Sequence, residues 1–212
     1  MDTDRLIRTL AADSDYRAKS VGWMLAVAMV FAVPVSSAMF MTQLGPRADI
    51  SQAMSNPFFE LKFVIVIALA IAATAVVLRL AQPAAAVGRL NWLFVIPAAL
   101  IGIGVATDLL MPQQLSWSSR MIGSNSMICL SAIPLLSAPL LFAALAALRH
   151  GAATRPALSG AFAGLLSAGL AATLYASHCF DDSPLFVVTW YSIAIGGVTA
   201  IGAFVGSRVL KF

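Results

Sequence analysis

The residue types best suited to chemistry in this chain are its two cysteines, Cys129 and Cys179, and the polar residues beside the second one. His178 precedes Cys179, and Asp181 and Asp182 follow it. Thiolate, imidazole and carboxylate groups are ligands for soft or borderline metals, and thiols can also be oxidised. The pattern marks these five residues as a candidate site, in which Cys129, Cys179 and His178 could bind a metal ion. The alternative is two unreactive structural cysteines, since cysteine is among the most often buried residue types.

The elements that position these residues are predicted to be membrane helices. The 212 residues are 60% hydrophobic and 10% charged, whereas soluble domains usually carry about 25% charged residues. Lipid is the solvent that suits this composition, and a helix needs roughly 20 apolar residues to cross it. Six apolar runs reach that length and predict an all-α polytopic bundle, with spans at 22–41, 58–80, 92–110, 127–148, 158–177 and 185–205.

The lysines and arginines are distributed unequally between the two ends of these spans. Ten fall on the side of both termini and three on the other. Because positive residues accumulate in cytoplasmic loops, both termini are predicted to be cytoplasmic, and the cysteines to lie at the outer end. Tryptophans and tyrosines fall mostly near span ends, as interfacial rings do. The predicted organisation is an N-terminal segment at 1–20, a transmembrane domain at 21–207 and a tail at 208–212.

The two cysteines are predicted to lie at the same height in the bundle. Short links join spans two and three, and spans four and five, so each pair should be antiparallel neighbours. Measured from position 152, Cys129 is 23 residues before and Cys179 is 27 residues after. At about 1.5 Å per residue, the thiols end within roughly one helical turn of each other. A disulfide needs a closer geometry than spacing can establish, so the choice between a disulfide and metal binding stays open.

Small residues recur at helical spacing in spans five and six. Such residues let helix backbones approach closely in lipid. The pattern favours packing inside the bundle, and homodimerisation is the alternative. The residues concerned are Gly160, Gly164, Ala168 and Ala172 in span five, and Gly202 and Gly206 in span six.

The central portions of the predicted spans contain no ionisable residue. Transporters and channels usually carry such residues at membrane depth, so their absence argues against the alternative function, a small transporter or metal-handling permease. The sequence also lacks the common hydrolase, metalloprotease and phosphate-binding motifs, so we do not expect an enzyme. Glu60, Lys62 and Asp108, at the outer ends of spans two and three, are expected to be interfacial or paired with one another.

Residues 2–12 are predicted to form a short amphipathic helix outside the membrane spans. Leu6, Ile7 and Leu10 share one apolar face, and Arg5 and Arg8 lie beside it. A helix of this length is marginal in isolation, so its apolar face needs a surface to cover it. The residues leave two possibilities open, the membrane surface and the groove of a partner protein.

Several segments resemble the NrsF-type membrane anti-sigma factors, which are negative regulators of an extracytoplasmic-function sigma factor F. The most specific segment is HCFDDSPLFV at 178–187, followed by Trp190 and Tyr191. The supporting segments are TDRLIRTLA at 3–11, NPFFELK at 56–62 and TRPAL at 154–158.

This resemblance implies a six-span protein of the bacterial inner membrane that holds a sigma factor inactive at the cytoplasmic face. It also implies that two outward-facing cysteines, matched here by Cys129 and Cys179, take part in sensing transition-metal or oxidative stress. The N-terminal segment, through Leu6, Ile7 and Leu10, would then dock the sigma factor. The partners implied are the sigma factor and the lipid bilayer, with no direct contact to nucleic acid. No cofactor is expected to be required, although a transition-metal ion could bind transiently.

Overall fold

The computed structural model describes residue 3 and residues 20–82, 87–112, 114–151 and 153–210. Every regular element in these ranges is helical. In chain order the elements are α1 (Val21–Gln43), α2 (Ile50–Ala53), α3 (Pro57–Leu80), a 3₁₀ helix (Gly88–Phe94), α4 (Val95–Leu110), α5 (Trp117–Ile122), α6 (Ser126–Leu148), α7 (Pro156–Ala176), α8 (Pro184–Phe186), a π-helix (Val187–Tyr191) and α9 (Ser192–Val209).

Within the described ranges, six helical segments are long and apolar enough to cross a membrane. Each covers one predicted span to within one residue, so the prediction of an all-α, six-span membrane protein is confirmed. The short helices α2 and α5 and the π-helix were not predicted, because they fall in linkers or continue an apolar run. The six segments are Val21–Gln43, Pro57–Leu80, Gly88–Leu110, Trp117–Leu148, Pro156–Ala176 and Pro184–Val209.

The starts of the long helices follow from residues that satisfy exposed backbone N–H groups. Ser20 precedes α1, and its hydroxyl accepts a hydrogen bond from the backbone N–H of Trp23 at 3.3 Å. Asn56 precedes α3 and accepts one from Phe58 at 3.0 Å. Pro57 then occupies the first turn of α3, where its missing N–H costs nothing. These caps fix where the chain leaves each linker and enters the bundle.

Helix α7 lies at the centre of the bundle, in contact with α3, α6 and α9. The predicted pairs of neighbouring spans also touch, α3 with α4 and α6 with α7. Helix α4 is peripheral, since large side chains such as Ile96 and Ile103 are exposed on its surface. The buried core is therefore built mainly from α3, α6, α7 and α9.

Glycines allow α7 and α9 to pack backbone against backbone. A Cβ atom added at Gly206 would lie 2.6 Å from the Cα of Gly160, and one at Gly164 would lie 2.7 Å from the carbonyl oxygen of Val198. Gly160 and Gly202 are closer still. No real Cβ tolerates such distances, so the prediction that these small residues pack inside the bundle is confirmed. A homodimer stays a prediction.

The aromatic residues near the span ends divide into two groups. Trp23, Trp92 and Trp117 are exposed on the surface of the bundle, as expected of interfacial side chains. Tyr175 and Tyr191 are instead fully buried, so the interfacial interpretation is wrong for them. Both tyrosines lie on α7 or the π-helix, which face the core at this height.

The predicted amphipathic helix, with Leu6, Ile7 and Leu10, lies outside the described residues. The proposed boundaries of the N-terminal segment and of the 208–212 tail likewise stay predictions. Helix α9 itself runs to Val209.

Candidate functional site

The two cysteines lie at one end of the bundle, which we call the cysteine end. Cys129 is in the first turn of α6, and Cys179 is in the segment of residues 177–183 that links α7 to α8. Both thiols are free, and both residues are 0% exposed. The thiols are therefore shielded from solvent in this conformation.

Asp181 fastens the segment of residues 177–183 to the start of α6. Its carboxylate accepts hydrogen bonds from the backbone N–H of Ser124 at 3.0 Å and of Asn125 at 2.8 Å. The side-chain amide of Asn125 donates a third at 2.9 Å. Asn125 makes no capping bond of its own to α6, and a carboxylate at a helix N-terminus is electrostatically favourable. Asp181 thus acts as a helix cap supplied from a distant part of the chain.

Asp182 fastens the same segment to α3 and to the turn after α1. Lys62 donates to one of its oxygens at 2.6 Å, and Arg47 donates to the other at 3.1 Å. The amide of Asn56 is 3.4 Å away. We call these four residues the Asp182 cluster. The side chains of Lys62, Arg47 and Asp182 are only 1%, 8% and 14% exposed.

The Asp182 cluster also holds the backbone of Cys179. Lys62 donates to the carbonyl oxygen of Cys179 at 2.8 Å, and Arg47 donates to it at 3.4 Å. Lys62 had been expected to be interfacial or to pair with Glu60 or Asp108, and this prediction is wrong. Its side chain is buried, and its acidic partner lies 120 residues along the chain.

Arg47 has a second acidic partner at the rim of the cluster. Its guanidinium forms two hydrogen bonds with Asp49, at 2.7 and 2.8 Å. These bonds, which Arg47 donates and Asp49 accepts, raise the pKa of Arg47 and hold the pKa of Asp49 below its usual value. Both groups are therefore charged at neutral pH. Arg47 can serve two carboxylates because it presents five donors in a fixed fork.

His178 bonds to the turn after α1. Its Nδ1 is 2.9 Å from the carbonyl oxygen of Gly45, whose φ of 67° suits a residue without a side chain. In the same region, the backbone N–H of Arg47 donates to Ser177 at 3.0 Å. Counting the Arg47 bonds to Cys179 and Asp182, four contacts join the turn after α1 to residues 177–182.

The predicted metal ligands are not gathered in this conformation. Among the described residues, no group of three or more His, Cys, Asp and Glu side chains is placed to hold a metal ion. His178 is bonded to Gly45, and the carboxylates of Asp181 and Asp182 are engaged by other partners. Metal binding by Cys129, Cys179 and His178 stays a prediction, and it would require these side chains to move.

A second buried ion pair lies at the cysteine end. Arg120 of α5 binds Asp108 at the end of α4, and it also donates to the Asp108 carbonyl oxygen at 3.1 Å. Asp108 had been expected to be interfacial or to pair with Glu60 or Lys62, so this prediction too is wrong. The sequence offered no signal for the pair, because α5 was not predicted.

Two tyrosines pack in the core near Cys179. The rings of Tyr175 and Tyr191 are 5.7 Å apart between centroids, and the Tyr175 hydroxyl donates to the carbonyl oxygen of Asn125 at 3.2 Å. Burial raises the pKa of the Cys179 thiol. The thiol is therefore protonated at neutral pH, and since the thiolate is the reactive form, Cys179 reacts slowly while it stays buried.

The opposite end of the bundle, which we call the basic end, carries five exposed arginines. Among the described residues none of them forms an ion pair. Arg79 donates to Gln82 at 2.9 Å, and Arg208 stacks on Phe204 at 4.1 Å from the ring centroid. The five are Arg79, Arg89, Arg149, Arg155 and Arg208.

Together, the six long apolar helices, the buried polar contacts at one end and the exposed arginines at the other describe a small polytopic membrane protein with two unlike ends. The family described as "NrsF: Negative regulator of sigma F" matches residues 10–212. A probable anti-sigma-F factor NrsF from Azospira oryzae is 31% identical over 220 residues, covering 100% of both chains. The anti-sigma-F factor NrsF of Caulobacter vibrioides is 32% identical over 216 residues, again covering 100% of both. No solved structure matches the chain.

The chain belongs to the NrsF family of negative regulators of sigma F, and it is an anti-sigma factor. The family resemblance carried by the segment at 178–187 is thereby confirmed. Anti-sigma factors act by binding a sigma factor and are generally not enzymes, in agreement with the expected class.

Proposed function

We propose that this protein holds an extracytoplasmic-function sigma factor inactive at the bacterial inner membrane and releases it when Cys129 and Cys179 react with a metal ion or an oxidant. The family supports the anti-sigma activity. The observation that supports the sensing role is that the segment of residues 177–183, which carries Cys179, is bonded both to α6 and to the turn after α1.

In the proposed orientation the basic end faces the cytoplasm. Its exposed arginines follow the positive-inside rule. An even number of spans returns both termini to this side. The cysteine end then faces the periplasm, where disulfides persist and where metals arrive from outside the cell. This orientation puts the sensor and the docking surface on opposite sides of the membrane.

The sigma factor would dock on the N-terminal segment at 1–20, through Leu6, Ile7 and Leu10. Helix α1 begins at Val21, the next residue in the sequence, and ends at Gln43, just before the turn that contains Arg47. Along its length α1 packs mainly against α6, the helix of Cys129. A displacement of residues 177–182 would therefore move the turn after α1, and α1 alone would transmit this movement to the docking segment.

Two chemical events could involve both thiols. An oxidant can accept two electrons, with loss of two protons from the thiols, and leave a disulfide between Cys129 and Cys179. A thiophilic divalent cation can instead displace the thiol protons and bind both sulfurs, with His178 as a further ligand. A tenfold difference in sigma affinity between the two conformations needs only about 1.4 kcal/mol. Either kind of bond can supply that difference. No resident cofactor is needed.

The test uses the full-length protein in detergent with its sigma factor bound. Zn²⁺ and the thiol oxidant diamide, added separately, should release the sigma factor from the parent by at least one route. The Cys129→Ser, Cys179→Ser double variant should bind sigma as tightly as the parent and release none. Equal release from the double variant would show that the thiols are structural, and loss of binding would show that they maintain the fold.

A further inference from the structure

The thiol of Cys179 is buried against the segment that carries it, since its Sγ donates to the carbonyl oxygen of Asp181 at 3.7 Å. Cys179 is 0% exposed, although it lies outside the long helices, in a linker where side chains usually reach solvent. Its backbone N–H donates to Tyr175 at 3.0 Å, which continues the turn at the end of α7. Movement of residues 177–183 would therefore open a path for a reagent to this thiol.

Besides the Asp181 bonds to the start of α6 and the backbone bonds to the turn after α1, this movement is opposed by the Asp182 cluster. Lys62 bridges the Asp182 carboxylate and the Cys179 carbonyl oxygen, at 2.6 and 2.8 Å. Arg47 makes the same bridge from the turn after α1, at 3.1 and 3.4 Å. Lys62 of α3 and Arg47 of the turn after α1 thus each bind both the side chain of Asp182 and the backbone of Cys179.

We propose that the Asp182 cluster is the gate that controls access of reagents to Cys179. While Lys62 and Arg47 hold Asp182, the segment covers the thiol; when these bonds break, the segment lifts and the thiol is exposed. Asp182 and Lys62 are then positioning residues for the sensor and not metal ligands. The inference deepens the proposed function, because a sensing thiol must be reached before it can respond.

Substitutions at Asp182 and at Lys62 distinguish this gate from a purely electrostatic effect on the reactivity of the thiol. Removing the negative charge of Asp182 would make a nearby thiolate easier to form, and removing the positive charge of Lys62 would make it harder. Electrostatics alone therefore predicts that the two substitutions change thiol reactivity in opposite directions. The gate predicts that both increase it, because either one breaks the same contact.

The experiment measures the rate at which N-ethylmaleimide modifies Cys179 in the full-length protein, by mass spectrometry. All variants carry Cys129→Ser, which leaves Cys179 as the single thiol of the chain. Because modification follows the population of the open state, Asp182→Asn and Lys62→Gln should each accelerate it by about tenfold or more. Asp49→Asn, which removes the exposed partner of Arg47, should stay within about twofold of the parent.

Asp108→Asn is the matched control for general loosening. It breaks the other buried ion pair of the cysteine end, between Asp108 and Arg120. Among the described residues, neither of these side chains forms a hydrogen bond with residues 177–183. The modification rate of Asp108→Asn should stay within about threefold of the parent.

Three results would overturn the gate. These are unchanged rates in Asp182→Asn and Lys62→Gln, rates that move in opposite directions, and equal acceleration by Asp108→Asn. None of these readings involves the sigma factor. A failure of the gate is therefore distinguishable from a failure of the proposed function, which is read from sigma release.

Discussion

The two ends of the bundle are held together by different means. At the cysteine end, Lys62 and Arg47 form buried ion pairs with Asp182, which lies more than 100 residues along the chain, and Arg120 forms one with Asp108, 12 residues earlier. At the basic end, the contact between Gly160 and Gly206 brings α7 and α9 together backbone to backbone. The arginines of that end are exposed, and no ion pair engages them among the described residues.

This difference suits two different tasks. Removing one partner of a buried ion pair strongly destabilises the structure around it, so loss of a single charge at the cysteine end is expected to free the segment of residues 177–183, as the proposed gate requires. The backbone contact between α7 and α9 contains no charged group whose loss would leave a buried charge without a partner. The basic end is therefore suited to present a fixed surface, with charges available to anionic lipid or to a protein.

The largest effect is expected from removing the proposed docking face at the basic end. Burying an apolar side chain against a partner is worth roughly 1.5–3 kcal/mol. The double change Leu6→Asp, Leu10→Asp should therefore weaken sigma binding by several orders of magnitude, as measured by titration in detergent. The rate of Cys179 modification should not change, because the cysteine end is untouched.

Ala12→Asp is the control for this substitution, since it adds a charge to the opposite face of the same predicted helix. It should leave the affinity within about threefold of the parent. If the double variant binds sigma normally, the docking surface lies elsewhere on the basic end, and the N-terminal segment rests on lipid instead.

A smaller effect is expected from disturbing the glycine contact that holds the basic end. In Gly206→Ala the added Cβ would lie 2.6 Å from the Cα of Gly160 and 3.0 Å from the carbonyl oxygen of Pro156. Overpacking of this kind costs about 1–3 kcal/mol, and it should lower the melting temperature in detergent.

Gly197→Ala, on the same helix, is the matched control. A Cβ at Gly197 would meet no atom within 4 Å, and alanine is the better helix former by about 1 kcal/mol. Its melting temperature should equal or exceed that of the parent. Equal losses in the two variants would mean that α7 and α9 are not held by the contact at Gly160.

The parts of this structure that could be predicted from sequence are those set by single segments. The length and apolarity of a run are enough to define a span. The spacing of Gly160, Gly164, Gly202 and Gly206 was enough to predict close packing, because small residues at one helical face have few other uses in lipid.

The cysteine end was predicted less well, because its contacts join distant segments. Asp181 and Asp182 lay next to Cys179 in the sequence and were interpreted as possible ligands. Their partners, Asn125 and Lys62, are 56 and 120 residues away. Only the packing of the helices brings them together. The sequence carried one weak signal for the capping role of Asp181. Asn125 precedes a long helix whose first turn contains no acidic residue.

The central claim is that a chemical change at the cysteine end alters sigma binding at the basic end. The most direct test follows both events in one sample of the parent complex in detergent, treated with diamide or Zn²⁺. Loss of free thiols and release of the sigma factor are recorded over the same time course. The account predicts that release follows the loss of free thiols and reaches completion with it. Full reaction of both cysteines with the sigma factor still bound would contradict the account.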